Sequence, residues 1–231
     1  MLTVVPTPLG NLEDLAPRAR RALSQARAVL CEDTRRTRAL LASQGIHTPL
    51  LRYQDRDPRG LASALERLER GEDLALVSDS GTPVLSDPGL ALVSSARRRR
   101  IPVTCLPGPF AAAAAVAGSG LPGDSFVFLG FLPRAPGRRR RVLAESAALG
   151  RTLVVYESPF RVKDLLEEAE RVLGPGASAA VVRELSKLHE EWLFGTLAEL
   201  RAALAAREKL LGEFVVVLHP GRRGDAEEDE A

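Results

Sequence analysis

Short apolar runs that alternate with longer helical patterns constrain the fold of this chain more than any other feature. In the first half the runs are continuous rather than alternating in polarity, which is typical of parallel strands buried on both faces. The predicted strands are residues 2–5, 28–31, 74–78 and 103–106. The helical patterns between them lie at 16–25, 36–44, 60–70 and 90–99. This order predicts an α/β fold whose first half is a mainly parallel, doubly wound sheet.

A cluster of turn formers at residues 119–124 (Ser-Gly-Leu-Pro-Gly-Asp) predicts a joint between two domains. The segment before it, 110–118, predicts a helix of small residues that would let another element approach closely. After it, strands are predicted at 126–129, 152–156, 179–182, 192–194 and 214–218, with helices at 138–148, 160–172 and 197–206. We therefore expect an N-terminal α/β domain at 1–118, a C-terminal α/β domain with a mixed sheet at 119–221, and a disordered acidic tail at 222–231.

Composition places the chain among globular proteins of the cytoplasm. Of the 231 residues, 45% are apolar and 27% are charged, which argues against intrinsic disorder. No apolar stretch approaches the roughly 20 residues that span a bilayer, and the N-terminus does not have the pattern of a signal peptide. Cys31 and Cys105 lie inside apolar runs, so both are predicted to be buried thiols in a reducing compartment.

Polar, Gly/Pro/Asp-rich segments follow every predicted strand of the first half. They are residues 6–14, 32–36, 78–89 and 107–109. Because ligands of open parallel sheets bind at the carboxyl ends of the strands, these four loops predict a binding site for a polar small molecule. Any one of them alone is equally consistent with an ordinary turn. Glu32 and Asp33 also suit the start of the next helix. This capping role is predicted for Glu32, whereas the Asp33–Arg35 pair is the better functional candidate.

The second half repeats this pattern less strongly. Ionisable residues follow two of its predicted strands, at Glu157, Arg161, Arg183 and Lys187. They either face the binding edge of the first domain or form salt bridges between domains. Several common motifs are absent from the sequence: G-x-G-x-x-G, Walker A, H-E-x-x-H, paired C-x-x-C and G-x-S-x-G. Their absence disfavours an ordinary dinucleotide or Rossmann methyltransferase site, a dedicated zinc site and a serine-hydrolase elbow.

Six segments, read together, resemble one known family. They are Thr-Pro-Leu-Gly-Asn-Leu at 7–12, Glu-Asp-Thr-Arg at 32–35, Ser-Asp-Ser-Gly-Thr-Pro at 78–83 with Ser-Asp-Pro-Gly at 86–89, Leu-Pro-Gly-Pro at 106–109, Glu-Ser-Pro at 157–159, and Arg-Glu-Leu-Ser-Lys at 183–187. In this order they closely resemble the ribosomal RNA small subunit methyltransferase I branch of the tetrapyrrole methylase superfamily. The resemblance covers residues 7–218, nearly the whole chain.

The resemblance implies a fold, a reaction and a set of partners. It implies two α/β domains with the cofactor, S-adenosyl-L-methionine, in the cleft between them. The implied reaction is methylation of the ribose 2′-oxygen of a cytidine in the decoding region of 16S rRNA, within the small ribosomal subunit. A homodimer is also implied, with no metal and no membrane partner. The implied cofactor-binding residues are Pro8, Leu9, Asp79, Thr82, Phe110, Ala111 and Tyr156.

Two residues depart from the family pattern. Phe110 stands where relatives have a small hydroxyl residue, so only a backbone contact to the cofactor is expected there. Phe160 stands where relatives commonly have histidine, which argues against a histidine base at that position.

Methyl transfer to a ribose hydroxyl requires alignment of oxygen, methyl and sulfur, and removal of the hydroxyl proton. The predicted catalytic residues are Asp33, Glu157 and Lys187. Arg35, Arg161 and Arg183 are predicted to bind the RNA phosphates. The arginine runs at 97–100 and 138–141 are either further phosphate contacts or solvated helix ends.

Two alternative functions remain open from the sequence. The first is a methyltransferase that acts on a tetrapyrrole such as a uroporphyrinoid or a precorrin. The second is a non-catalytic ribosome-assembly factor that binds rRNA through its arginines. The four polar loops argue against the second alternative, because a protein that only binds RNA does not need a cofactor edge.

Overall fold

The computed structural model describes residues 1–221, which fall into two compact units divided between Phe110 and Ala111. Each unit contains one five-stranded sheet. The predicted tail at 222–231 lies outside the described residues. The predicted boundary at 118/119 is eight residues beyond the observed division, so the small-residue helix belongs to the second unit. None of the helices described is long and apolar enough to cross a membrane.

The first unit contains a parallel sheet, as predicted. Its strands are β1 (Leu2–Val4), β2 (Ala28–Cys31), β3 (Leu50–Arg52), β4 (Leu74–Leu76) and β5 (Val103–Cys105). Its helices are α1 (Pro17–Gln25), α2 (Thr34–Ser43), α3 (Pro58–Glu69) and α4 (Leu90–Arg98), with a 3-10 turn at Leu12–Asp14. The strand order is β3-β2-β4-β1-β5, and every neighbouring pair is parallel.

Helices cover both faces of the first sheet. Leu2 and Leu76 pack with Leu65 of α3 and Leu92 of α4 on one face. On the other face, Val5, Val29 and Val77 pack with Leu23 of α1 and Leu41 of α2. This double covering explains why the central strands β2 and β4 are apolar at every position rather than at alternate ones.

The prediction that both cysteines are buried is wrong for Cys105. Cys31 lies in β2, inside the sheet, and burial raises the pKa of its thiol. Cys105 is exposed because β5 is an edge strand with no neighbour on its outer side among the described residues.

The second unit contains a mixed sheet, as predicted. Its strands are β6 (Phe126–Phe131), β7 (Thr152–Glu157), β8 (Ser178–Arg183), β9 (Glu191–Thr196) and β10 (Phe214–His219). Its helices are α5 (Ala111–Gly118), α6 (Pro136–Ala147), α7 (Val162–Leu173) and α8 (Leu197–Ala205). The strand order is β6-β7-β10-β8-β9, in which β6 and β7 are parallel and the other neighbours are antiparallel.

The small-residue helix α5 packs closely on the second sheet. It contacts β7 and β10, and its last residue, Gly118, lies against the indole of Trp192. A Cβ atom at Gly118 would be 2.4 Å from Cη2 of Trp192, well inside van der Waals contact. The ring of Trp192 stacks in turn on Phe194, with ring centroids 6.0 Å apart.

We expect Gly118→Ala to lower the free energy of unfolding by about 1–3 kcal/mol, because the added methyl group overpacks the contact with Trp192. Gly137→Ala is the matched control, since a Cβ at that exposed helical position meets no atom within 4 Å. Its effect should stay within about 1 kcal/mol. Urea denaturation followed by circular dichroism measures both, and equal stabilities for the two variants would contradict the close packing.

Candidate functional site

The loops that follow β1, β4 and β5 are bonded to one another at the carboxyl edge of the first sheet. Thr7 and Gly81 exchange two backbone hydrogen bonds, of 2.9 and 3.0 Å. The Thr82 hydroxyl donates to the carbonyl oxygen of Pro109 at 2.8 Å. Gly108 approaches the first loop so closely that a Cβ atom there would lie 2.6 Å from Cβ of Pro6. These contacts bring the three loops together, as their positions after parallel strands predict.

The loop at 78–89 contains two residues in strained conformations. Val84 has a φ of 78° and Ser86 a φ of 66°, both in the left-handed region. A β-branched residue in this region is a genuine outlier, and such strain is found preferentially at functional sites.

A carboxylate from a neighbouring loop holds this strained segment in place. The Asp55 Oδ1 atom accepts hydrogen bonds from the Gly89 backbone N–H at 3.0 Å and from the Tyr53 hydroxyl at 2.8 Å. Burial of Tyr53, together with Asp55, raises the pKa of the tyrosine hydroxyl, so it remains a donor. Tyr53 and Asp55 come just after β3, a strand not predicted from the sequence, and neither residue was predicted to belong to the site.

The predicted Asp33–Arg35 pair forms at the start of α2. Asp33, and not Glu32 as predicted, is the N-cap residue of the helix, because its side chain accepts from the Arg35 backbone N–H at 2.8 Å. The Arg35 side chain also donates to both Asp33 oxygens, at 3.2 and 2.9 Å. These hydrogen bonds lower the pKa of the Asp33 carboxyl well below its usual range. Arg35 is 87% exposed, whereas the Asp33 side chain is only 23% exposed, so solvent reaches the pair mainly from the side of the guanidinium.

Asp79 links the loop after β2 to the loop after β4. Its Oδ1 atom accepts from the Asp33 backbone N–H at 3.3 Å, and its Oδ2 atom lies 3.7 Å from Nη1 of Arg36. Pro8, Leu9 and Thr82, the other predicted cofactor residues of this unit, lie in the bonded loops around it. Their role in binding the cofactor stays a prediction.

Two further predicted cofactor residues come together in the second unit. Tyr156 lies at the end of β7, and its hydroxyl oxygen accepts from the Ala112 backbone N–H at 3.0 Å, next to Ala111 at the start of α5. The Tyr156 ring packs edge-to-face on Phe128 and Phe131, with centroid distances of 4.8 and 5.8 Å. Phe110 is the last residue of the first unit.

Glu157 and Arg161 form a buried ion pair. The Glu157 side chain is 0% exposed, and its Oε2 atom lies 3.1 Å from Nη2 of Arg161, without hydrogen-bond geometry. The other oxygen, Oε1, accepts from the Ser158 backbone N–H at 2.8 Å. Arg161 also donates to the carbonyl oxygen of Leu132 at 2.9 Å. In this arrangement the carboxylate stabilises the β7–α7 turn, and its role as a base stays a prediction.

Lys187 lies between two carboxylates. Its Nζ atom donates to Glu184 Oε1 and to Glu213 Oε2, each at 2.8 Å. Partial burial alone would lower the pKa of Lys187, but the two hydrogen bonds outweigh it and raise the pKa. Lys187 is thus held as an ammonium ion, which can donate a hydrogen bond but cannot accept a proton.

Arg183 takes part in a network around Glu191. Its Nε atom donates to Glu191 at 3.0 Å, and Arg207 donates to both oxygens of the same carboxylate at 2.8 and 2.7 Å. Arg207 foremost, and Arg183 after it, outweigh the effect of partial burial and lower the pKa of Glu191 to about 2. The network joins β8, β9 and the segment after α8 within the second unit.

The Glu191 network predicts a pH dependence of stability. Because the pKa of Glu191 falls from 4.5 to about 2 on folding, its contribution is complete above pH 4.5 and is lost as the pH falls toward 2. We expect Glu191→Gln to be less stable than the wild type at pH 6, and the difference to shrink between pH 4.5 and 2. Urea midpoints across this range, with exposed Glu208→Gln as control, measure it. A difference that is independent of pH would contradict the assignment.

The two arginine runs differ in their environments. Residues 97–100 are exposed at the end of α4, where Arg97 and Arg98 lie favourably at the negative end of the helix dipole. In the run at 138–141, Arg139 is buried and donates to the backbone carbonyls of Pro133 and Arg134. Arg139 therefore supports the turn before α6 and does not face a phosphate.

Known proteins resemble this chain in both sequence and fold. Residues 1–201 match the family model for Tetrapyrrole (Corrin/Porphyrin) Methylases. Ribosomal RNA small subunit methyltransferase I of Xylella fastidiosa is 45% identical over 232 residues, covering 100% of this chain and 84% of that protein. The protein of the same name from a Hydrogenobaculum species is 41% identical over 219 residues, covering 94% of both chains.

Among solved structures, uroporphyrin-III C-methyltransferase from Thermus thermophilus, complexed with S-adenyl homocysteine, has a similar fold. The TM-score is 0.66 at 20% identity, and the match covers 94% of this chain and 96% of that one. At such low identity the likeness concerns the fold alone.

Proposed function

This chain belongs to the ribosomal RNA small subunit methyltransferase I branch of the tetrapyrrole methylases, and on that premise we propose that it methylates the ribose 2′-oxygen of a cytidine in the decoding region of 16S rRNA. The methyl donor is S-adenosylmethionine. The observation that supports the proposal most directly is the carboxyl edge of the first sheet, where bonded loops lie beside the solvent-exposed Asp33–Arg35 pair.

The loops after β1, β4 and β5 are proposed to hold the cofactor. Pro8, Leu9, Asp79 and Thr82 belong to this set, and the fixed backbone around the strained loop at 78–89 keeps its amides and carbonyls in place for a polar ligand. S-adenosylmethionine supplies an electrophilic methyl group on a sulfonium. The protein has to position the acceptor oxygen in line with the methyl carbon and sulfur, and such positioning alone raises rates by orders of magnitude.

Of the three predicted bases, Asp33 has the most suitable geometry. Glu157 is buried in an ion pair, and Lys187 is held as an ammonium ion. Asp33 is ionised and partly exposed at the edge that carries the cofactor loops. While Arg35 bonds to it, the carboxylate is a weak base. A phosphate that draws the Arg35 guanidinium away would raise the pKa of Asp33 and make it a stronger proton acceptor.

The experiment that tests this function compares rRNA from cells with and without the gene. A 2′-O-methyl group removes the nucleophile of alkaline RNA cleavage, so one linkage of 16S rRNA should resist mild base only when the gene is present. Nucleoside mass spectrometry should place the methyl group on the ribose of a cytidine. A methyl group that stays with the free base after glycosidic cleavage would overturn the proposal. Methylation of a uroporphyrinoid instead of rRNA would do the same.

A further inference from the structure

A polar cavity lies at the carboxyl edge of the first sheet, at the end away from the loops after β1 and β5. Its volume is about 480 Å³, within the range of sites for small molecules, roughly 300–1,000 Å³. Because the strand order is β3-β2-β4-β1-β5, the loops after β2 and β3 form it with one residue after β4. We call it the β2–β3 pocket, lined by Glu32, Asp33, Thr34, Arg35, Arg52, Gln54 and Asp79.

Two charged side chains of the β2–β3 pocket are not committed to internal ion pairs. Asp33 is paired with Arg35, and Asp79 lies within ion-pair distance of Arg36. Within residues 1–221, by contrast, no ion pair engages Glu32 or Arg52. The Glu32 carboxylate accepts only a long hydrogen bond, of 3.5 Å, from the Gln54 side-chain amide. The pocket therefore offers one free carboxylate and one free guanidinium, close to the Asp33 carboxylate.

We propose that the β2–β3 pocket binds the nucleotide to be methylated, with Glu32 reading the cytosine base and Arg52 binding a neighbouring phosphate. This inference rests on the proposed function. A carboxylate accepts a hydrogen bond from the exocyclic N4 amino group of cytosine, whereas uracil would place a carbonyl oxygen against it. Guanidinium groups suit phosphate because they donate two parallel hydrogen bonds.

The position of the pocket also fits the geometry that methyl transfer requires. Asp33, the proposed base, lines this pocket. Asp79, which accepts a hydrogen bond from the Asp33 backbone, also lines the pocket and belongs to the loop after β4 that is bonded to the loops after β1 and β5. A nucleotide held here would present its ribose to the Asp33 carboxylate. The methyl donor would lie on the β4-β1-β5 side of the same edge.

Glu32→Gln tests the reading of the base. The substrates are purified small subunits with plasmid-encoded 16S rRNA that carries either cytidine or uridine at the mapped position. Because the glutamine amide donates as well as accepts, we expect the cytidine-over-uridine ratio of kcat/KM to fall roughly tenfold or more. Binding of S-adenosylmethionine, measured by calorimetry, should stay unchanged. Glu208→Gln, on an exposed segment of the second unit, is the matched control.

Arg52→Ala tests the phosphate contact. We expect KM for the subunits to rise roughly tenfold with little change in kcat, and the slope of log affinity against log salt to fall by about 1. Arg38→Ala removes an exposed arginine of α2 that does not line the pocket, and should change neither quantity.

The outcomes separate this inference from the proposed function. If the wild type methylates a cytidine ribose but both pocket variants match it in base preference and KM, the pocket assignment is wrong and the function stands. If the wild type methylates a base, or no RNA at all, the proposed function fails and the pocket assignment fails with it.

Discussion

Glu157→Ala is expected to lower the free energy of unfolding by about 3–5 kcal/mol, because it leaves the Arg161 guanidinium partly buried without its counter-ion. The Glu157 side chain is completely buried, and Arg161 is only 22% exposed. The variant also removes the acceptor of the Ser158 backbone N–H at the start of the β7–α7 turn. Breaking a buried pair by removing one partner is far costlier than losing an exposed one.

Urea denaturation of the purified variant measures this loss. Glu167→Ala is the matched control, because Glu167 pairs with Arg171 on the exposed surface of α7. Its removal should cost about 0.3–0.5 kcal/mol. If Glu157→Ala keeps the wild-type stability but abolishes methyl transfer, the structural role is wrong and the catalytic role predicted from the sequence is favoured. A stable double variant, Glu157→Leu with Arg161→Met, that retains activity would exclude the catalytic role.

The parallel character of the first sheet was predictable because its central strands are apolar throughout and are separated by clear helical patterns. Residues 28–31 and 74–76 are buried at every position, as expected for strands of a sheet that is covered on both faces. Once parallel strands are assigned, their carboxyl ends must meet at one edge. The grouping of the loops after β1, β2, β4 and β5 therefore followed from the sequence.

Strand β3 was not predictable, and because it was not predicted, part of the candidate site was missed. Its three residues, Leu50–Arg52, include no β-branched or aromatic side chain and lie at the edge of the sheet. Without β3, nothing in the sequence placed Arg52, Gln54 and Asp55 beside the other loops. The β2–β3 pocket and the carboxylate that holds Gly89 were both missed for this reason.

Ion pairing was the second feature that could not be predicted from the sequence. Charged residues at strand ends were correctly located, but the sequence did not show which of them are neutralised within their own unit. Glu191 and Arg207 are sixteen residues apart and meet only because β9 and the end of α8 pack together. Likewise, Lys187 meets Glu213 across twenty-six residues. The sequence shows that such residues can bind phosphate or protons, and the fold determines whether they are free to do so.

The packing partner of helix α5 was not predictable either. Its alanines predict close packing but have no polar face, so they do not indicate which sheet the helix packs against. The structure places it on the second sheet, with Gly118 against Trp192.

Asp33→Asn is expected to lower kcat for rRNA methylation by about 10²–10⁴-fold, the usual contribution of a positioned general base. Asparagine is as good an N-cap residue as aspartate, so α2 should remain intact and S-adenosylmethionine should still bind. Asp57→Asn is a close control. Asp57 caps α3 in the same way, by accepting from the Arg59 backbone N–H at 3.0 Å, and it lies outside the β2–β3 pocket. If both variants keep wild-type kcat, Asp33 is not the base.

The pH profile of kcat/KM, which reports the ionisation of the free enzyme, separates a base from a residue that merely positions the substrate. A base must be deprotonated, so the rate falls as the pH drops through the pKa of Asp33. In the wild type Arg35 lowers that pKa, and the acid limb should therefore lie below the ordinary carboxyl range. Arg35→Gln removes the main cause of the lowering, so we expect the acid limb to move up toward about pH 4. An acid limb at the same pH in the wild type and in Arg35→Gln would mean that the titrating group is not Asp33.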